Sequence, residues 1–252
     1  MISKAKIKYI RSLEMKKNRI AEGVFVAEGP KVVGDLLATM HPRLVVATEE
    51  WLVSAKNMTE QAETICVSDE ELHRISFLQT PQQVLAVFDI PSCCMRTASN
   101  AGKGLALALD GIQNPGNLGT IIRIADWFGI KDIFCSQDTA DAYNPKVVQA
   151  TMGSIARVNI IYNDLEDLLT SLPDSTPVYG TMLDGDNIYS SELSENGIIV
   201  MGNEGNGISE RVRKLVNKRL LIPHFSLSAD RAESLNVAIA TAITCSEFRR
   251  RT

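Results

Sequence analysis

Residues 105–123 read LALALDGIQNPGNLGTIIR. The unbroken small and large apolar run 105–109 describes a strand buried on both faces. Glycine, asparagine and proline then crowd into a turn, after which Leu118, Ile121, Ile122 and Ala125 recur at helical spacing. Strand, glycine-rich turn and helix make the repeating unit of a parallel α/β sheet. Downstream, the pattern predicts strands over 130–135, 156–160, 177–183, 197–202 and 219–223 with helices between them. One of those helices opens at Asn144-Pro145, with asparagine as cap and proline at the first helical position, and runs to Gly153. A last helix runs from about Ser234 to Arg250. Its stretch VAIATAIT is apolar almost all round, so either the sheet with its helices or a second subunit must cover it.

Upstream, the segment SCCMRTASNAGKG at 92–104 has the composition of a connection. It divides the chain into an opening domain at 1–95, a linker at 96–104 and a second domain at 105–252. The opening half predicts a helix over 29–40, a strand over 43–48, a helix from Glu50, a strand over 64–67 and a helix from Ser68. Ser68 and Glu71 form an S-x-x-E capping box there. With a strand at 82–90, residues 22–90 form a small α/β unit. Residues 1–19 carry Lys4, Lys6, Lys8, Arg11, Lys16, Lys17 and Arg19 against Glu14 alone. Ile7, Ile10 and Leu13 recur near helical spacing, which predicts an amphipathic helix with a cationic face. A solvated surface and a polyanion contact both fit that face, and the same two readings hold for Arg249, Arg250 and Arg251.

The whole chain has 252 residues, a formal net charge of −4, 45% hydrophobic and 22% charged residues. These values describe a folded chain with material for a core. Its longest apolar stretch, 237–243, is far short of the roughly 20 residues that cross a bilayer. The first residues lack the apolar centre of a secretion signal, so a cytoplasmic protein is expected. Five cysteines without C-x-x-C spacing read as reduced thiols, with adjacent Cys93 and Cys94 as a weak redox candidate against simple packing. His41, His73 and His224 are scattered and no metal site is expected. G-x-S-x-G is absent, which argues against a serine hydrolase of that type. Trp51 and Trp127 are expected in the core or at its rim.

Ligands of parallel α/β sheets gather at the carboxyl ends of strands, and three loops there stand out. In DGIQNPGNLGTIIR (110–123), Asn117 is a plausible helix cap and Arg123 an exposed helix residue. In VMGNEGNGIS (200–209), the glycines fit no phosphate-cradle pattern, and Glu204 is harder to explain by turn chemistry. In IPHFSLSADRAESLNVAIA (222–240), Ser234 is a candidate N-cap, while Asn236 in the first turn of an apolar helix needs a partner for its amide.

Taken together, in order and spacing, these loops resemble the three motifs of the SpoU (TrmH-like) RNA methyltransferases. N-P-G-N-L-G-x-x-x-R at 114–123 looks like the first motif and M-G-N-E-G-x-G at 201–207 like the second. I-P followed by S-L-N-V-A, within 222–238, looks like the third. FVAEGPKVV at 25–33 resembles the substrate-binding domain that precedes the catalytic domain in many members. The resemblance implies a parallel sheet with a deep trefoil knot that binds S-adenosylmethionine, a homodimer packed through knot-region helices, and methyl transfer to a ribose 2′-hydroxyl of ribosomal or transfer RNA. It implies catalytic-site roles for Asn117, Arg123, Glu204, Ser234 and Asn236, and cofactor contacts at Thr181, Gly202, Ile222 and Leu235. On this reading Asn117 and Asn236 orient Arg123 and the ribose, Glu204 fixes the arginine or the loop, and Ser234 caps the last helix. Two alternatives stay open: a non-catalytic RNA-binding or ribosome-assembly protein, and a base-methylating relative. The stretch from Ile222-Pro223 to Ser234 is longer than the family's commonest spacing, so a differently shaped cofactor lip is expected.

Overall fold

The computed structural model describes residues 1–55, 62–91, 104–226 and 234–250. Cys93, Cys94, Arg251 and nearly all of the predicted linker lie outside the described residues.

The basic opening segment is two helices, α1 (Lys4–Ser12) and α2 (Lys16–Glu22), where one was expected. Ile10 and Leu13 turn wholly into the core, and the chain becomes extended at Met15 before α2 begins. Lys4, Lys8, Lys16 and Lys17 are exposed, whereas Lys6 donates to Glu63 at 2.6 Å and Arg19 is buried. The chain continues through β1 (Val24–Glu28), α3 (Pro30–Leu37), β2 (Pro42–Ala47), α4 (Glu49–Ser54), β3 (Glu63–Cys66), α5 (Asp69–Ile75) and β4 (Val84–Asp89). Ser68 and Glu71 make the predicted reciprocal cap at the start of α5. The strands form a four-stranded sheet ordered β1-β4-β2-β3, in which β4 is antiparallel to both neighbours and β2 is parallel to β3.

The second sheet contains β5 (Leu105–Asp110), followed by helix α6 (Pro115–Trp127) and β6 (Asp132–Cys135). After α7 (Pro145–Ala150) come β7 (Asn159–Tyr162), α8 (Leu165–Thr170), β8 (Val178–Asn187) and β9 (Gly197–Gly202). The chain then forms α9 (Glu210–Arg213), β10 (Lys218–Leu221) and α10 (Val237–Arg250). Strand order is β10-β8-β9-β5-β6-β7, and every pairing is parallel. All six residues of β5 are buried, as a central strand covered on both faces requires. The pairing of β10 with β8 jumps from Arg219↔Gly180 to Leu220↔Asp186, so residues 181–185 make an excursion from the ladder.

The chain divides into two compact units, Met1–Ser92 with Asp141–Ala156, and Cys93–Ala140 with Arg157–Thr252. In the first, α7 packs against β1, with Val147 and Val148 buried and the Tyr143 ring 5.1 Å from that of Phe25. In the second, Leu118, Ile121, Ile122 and Ala125 of α6 are all buried, as their spacing predicts. Trp51 is buried, but Trp127 is not a packing residue: it lies on the outer face of α6 and is 84% exposed. The opposite face of that helix carries the core contacts, which leaves Trp127 pointing away from them. Cys135 and Cys245 are buried, and burial pushes the Cys245 thiol up to about 12, so neither is poised as a thiolate at neutral pH.

Glu28 ends β1 as a buried carboxylate, accepting from the Ser76 hydroxyl and from the Phe77 N–H at 2.8 Å. Burial raises its pKa against the opposing pull of those two bonds and of Arg11. A carboxyl whose folded pKa lies above its unfolded value contributes stability that is full below the unfolded value and lost as pH rises through the folded one. Urea unfolding from about pH 4 to about pH 8 is therefore expected to show a falling component that Glu28→Gln removes. An unchanged slope in that variant would contradict the assignment.

Candidate active site

The loop after β5 is fixed before α6 begins. Gly111 has φ +71, where a side chain would be strained, and its N–H donates to the Ser136 hydroxyl at 2.8 Å. The Ile112 N–H donates to Thr139 Oγ1 at 3.3 Å, and its carbonyl accepts from the Ala140 N–H at 2.8 Å. Asn114, rather than Asn117, is the N-cap of α6: its side-chain oxygen accepts from the N–H groups of Gly116 and Asn117 at 2.8 and 3.2 Å. With Pro115 at the first helical position, the cap falls three residues earlier than expected. Asn117 thereby sits in the first turn with its amide free to reach outward.

The loop after β9 folds back on itself, with Asn203 and Gly207 exchanging two backbone hydrogen bonds of 2.9 Å. Gly202 is required by this closure, because a Cβ there would stand 2.3 Å from the Gly207 carbonyl carbon. Asn203 uses both ends of its amide. Its nitrogen donates to the Gly111 carbonyl at 2.7 Å, and its oxygen accepts from Gly205 and Asn206 at 2.9 and 3.1 Å. Buried Asp110 completes the clamp by accepting from the Ser209 N–H at 2.7 Å. The loops after β5 and β9 are thus one rigid body, and Glu204 projects from it.

These constraints bring three sequence-separated residues together. Asn117 Nδ2 donates to Glu204 Oε1, and Asn117 Oδ1 accepts from Asn236 Nδ2 at 3.0 Å. Asn236 is also the cap of α10, its oxygen accepting from Ala238 and Ile239 at 3.0 and 3.3 Å. The capping role expected of Ser234 therefore belongs to Asn236, and α10 starts at Val237. Ser234 is exposed two residues before the cap. α6 and α10 run parallel, joined at their starts by Asn117 and Asn236 and at their ends by the Arg249 guanidinium donating to the Phe128 carbonyl at 2.9 Å.

Arg123 lies on the exposed face of α6 and makes no hydrogen bond or ion pair with another described residue. Glu204 holds Asn117, not the guanidinium. Gly202 ends β9 and Ile222 follows β10, while Thr181 lies inside β8 directly after the three residues that pair with β9, its Oγ1 donating to the Val200 carbonyl at 3.4 Å. Ile222 is half-buried and Leu235, next to Asn236, is exposed. This edge offers backbone amides, glycine and uncovered aliphatic surface, a donor set suited to a neutral heterocycle and ribose rather than a polyphosphate. Among the described residues no group of three or more His, Cys, Asp or Glu could hold a metal ion, and no helix is long and apolar enough to cross a membrane.

Asp110, Asn114, Asn203, Ser136 and Thr139 build the site and were not singled out in sequence, whereas Gly111 was expected to relieve the turn, as it does. For Asn203 the signal was its place between Gly202 and Glu204. Ser136 and Thr139 follow β6, another strand ending at the same edge.

The chain matches the family model for the SpoU rRNA methylases over residues 104–246 and that for the MRM3-like substrate-binding domain over 4–86. It belongs to the SpoU rRNA methylase family. Among its relatives is the 23S rRNA (guanosine(2553)-2′-O)-methyltransferase RlmP of Bacillus subtilis (strain 168), 30% identical, the match covering 97% of this chain and 96% of the other. Among solved structures, one reported as an RNA methyltransferase of the TrmH family from Porphyromonas gingivalis is 43% identical. It covers all of both chains with a TM-score of 0.90. An AdoMet-bound rRNA methyltransferase from Sinorhizobium meliloti is 30% identical, covers 100% of this chain and 96% of the other, and has a TM-score of 0.85.

Asn236 has two separable duties. Asn236→Ala is expected to lower stability by about 1 kcal/mol through loss of the cap. Asn236→Asp keeps the cap but replaces the donor facing Asn117 with an acceptor. Chemical unfolding is expected to show near wild-type stability for the aspartate variant, and NMR a changed Asn117 side-chain amide signal. An unchanged Asn117 signal would contradict the contact.

Proposed function

We propose that this protein is an S-adenosylmethionine-dependent RNA methyltransferase that modifies a ribose 2′-hydroxyl of ribosomal or transfer RNA. The observation that carries the reading is the joining of Glu204, Asn117 and Asn236, one from each motif, at the start of the helix that presents Arg123, which has no hydrogen bond or ion pair among the described residues. The 2′-O-methyltransferase activity named for the B. subtilis relative and the AdoMet named in the S. meliloti structure support it.

When bound, the cofactor supplies an electrophilic methyl group on a sulfonium. Backbone groups around Gly202, Ile222 and Leu235, with Thr181 beside them, would hold its adenosine. The chain must then orient the ribose and stabilise the charge that develops as the 2′-oxygen forms its new bond to carbon. Arg123 is a poor base, since a guanidinium keeps its proton above about pH 12. Its permanent charge instead stabilises the forming alkoxide and holds the neighbouring phosphate, while the hydroxyl proton passes to water. Asn117 and Glu204 fix the first turn of α6 and so set where Arg123 stands. Ser234, exposed two residues before the cap of α10, is assigned to the RNA side of the site.

The opening unit is the RNA-reading part, supported by the match to a substrate-binding domain and by exposed Lys4, Lys8, Lys16 and Lys17. The trefoil knot belongs to the same proposal. The excursion of residues 181–185 from β10, and the return of the segment after β10 to Asn117, support it. So does homodimerisation: Trp127, Ile239 at 52% exposure and half-buried Ile243 leave apolar surface on α6 and α10 uncovered. The cytoplasm, where ribosomal and transfer RNA are available, is the proposed compartment.

Arg123→Ala is expected to bind S-adenosylmethionine with unchanged affinity by calorimetry and to lose at least about a hundredfold in transfer of labelled methyl to RNA. In the wild type, the label should survive alkali in dinucleotides, because a methylated ribose blocks cleavage at its own phosphodiester. Lost cofactor affinity in the variant, or alkali-labile wild-type product, would overturn the reading.

A further inference from the structure

Arg19 is the buried cation of the basic opening segment, and the polyanion reading does not use it. It is 1% exposed. Its guanidinium donates to the Leu13 and Glu14 carbonyls, each at 2.7 Å, and to Asp141 Oδ2. Asp141 Oδ1 in turn accepts from the Tyr143 N–H at 3.0 Å, so both carboxylate oxygens are engaged. Stability alone explains this arrangement poorly. Arg19 Nε is buried with no partner among the described residues, and a buried ion pair seldom stabilises more than apolar residues of similar size.

The position of Asp141 in the chain suggests another role. It is the first residue of the segment that belongs to the opening unit, and Ala140 is the last residue before it in the other unit. Ala140 has both backbone groups committed: its N–H donates to the Ile112 carbonyl at 2.8 Å, and its carbonyl accepts from the Tyr162 hydroxyl. Ile112 is fully buried and lies two residues before Asn114, the cap that places Asn117. One peptide bond therefore separates the residue fixed by Arg19 from the residue fixed to the catalytic loop.

We infer that Arg19 and Asp141 are positioning residues for the methyl-transfer site: their buried pair fixes the Ala140–Asp141 junction and through it the loop of residues 111–117. The consequence for turnover rests on the proposed RNA methyl transfer, but the ordering of the loop does not. Restraint at this junction acts on the backbone on either side of one peptide bond, without either residue touching a substrate. A buried charge pair suits the task because it is directional, whereas an apolar pair tolerates sliding.

The test separates stability from positioning. Arg19→Met alone strands a carboxylate and Asp141→Asn alone strands a buried guanidinium, so each should lower the melting temperature. The double variant Arg19→Met/Asp141→Asn removes both charges, keeps an acceptor for the Tyr143 N–H, and is expected to melt nearer the wild type than either single variant. Hydrogen exchange should nevertheless be faster at residues 111–118 and at Ala140 in the double variant. Its kcat should fall between about three- and thirtyfold, with KM for RNA and affinity for S-adenosylmethionine within about twofold of wild type. Recovery of both exchange protection and kcat along with stability would show a purely structural pair and overturn the inference. Should the double variant not fold, Asp141→Asn below its melting temperature serves instead, and wild-type exchange at residues 111–118 would count against the inference. A wild type that exchanges as expected but transfers no methyl group would sink the proposed function and leave the positioning role standing.

Discussion

The carboxamide of Asn117 donates to Glu204 and accepts from Asn236 at once, and the rest of the site is arranged so that it can. The two contacts need opposite ends of one amide, and they need three chain segments to arrive within hydrogen-bond reach. Parallel pairing of β5 with β9 brings the first two loops side by side. The third arrives because the helix after the last strand starts beside α6, capped by the same Asn236 that contacts Asn117. A carboxylate could not replace this amide without losing its donor, nor an amine without losing its acceptor.

Rigidity around this contact has a local cause. Gly111 turns where only glycine is relaxed, Gly202 lets the backbone close on Gly207, and Asn203 ties the two loops together. Asp110 and the hydroxyls of Ser136 and Thr139 take up N–H groups that the turns leave behind. Backbone N–H groups paired in this way specify one loop conformation. Arg123, by contrast, makes no hydrogen bond or ion pair with another described residue, which leaves its charge open for the role proposed for it.

Much of this was legible in the sequence, and the departures share a cause. The central strand, the amphipathic period of α6 and the Ser68 capping box are local patterns, and all three stand in the structure. Cap identity was not local: 114–117 offers two asparagines and 234–236 a serine and an asparagine. The choice depends on which amide oxygen is already engaged elsewhere: Asn117 gives its oxygen to Asn236, whereas Asn236 gives only its nitrogen to Asn117 and keeps its oxygen for the cap. Trp127 looked like packing because composition cannot show which side of a short helix the core occupies. Arg19 counted as one more surface cation because its partner lies 122 residues away. The grouping of Asp141–Ala156 with the opening unit is hidden for the same reason, since no periodicity records which of two units a helix covers.

A double-mutant cycle between Glu204→Gln and Asn236→Ala, read as the rate of methyl transfer to RNA at saturating S-adenosylmethionine, tests the central claim most directly. If Asn117 is held between the two as a unit, the losses are strongly non-additive, and the double variant is little slower than the worse single variant. Independent, multiplicative losses would show that Glu204 and Asn236 act separately and would contradict the account.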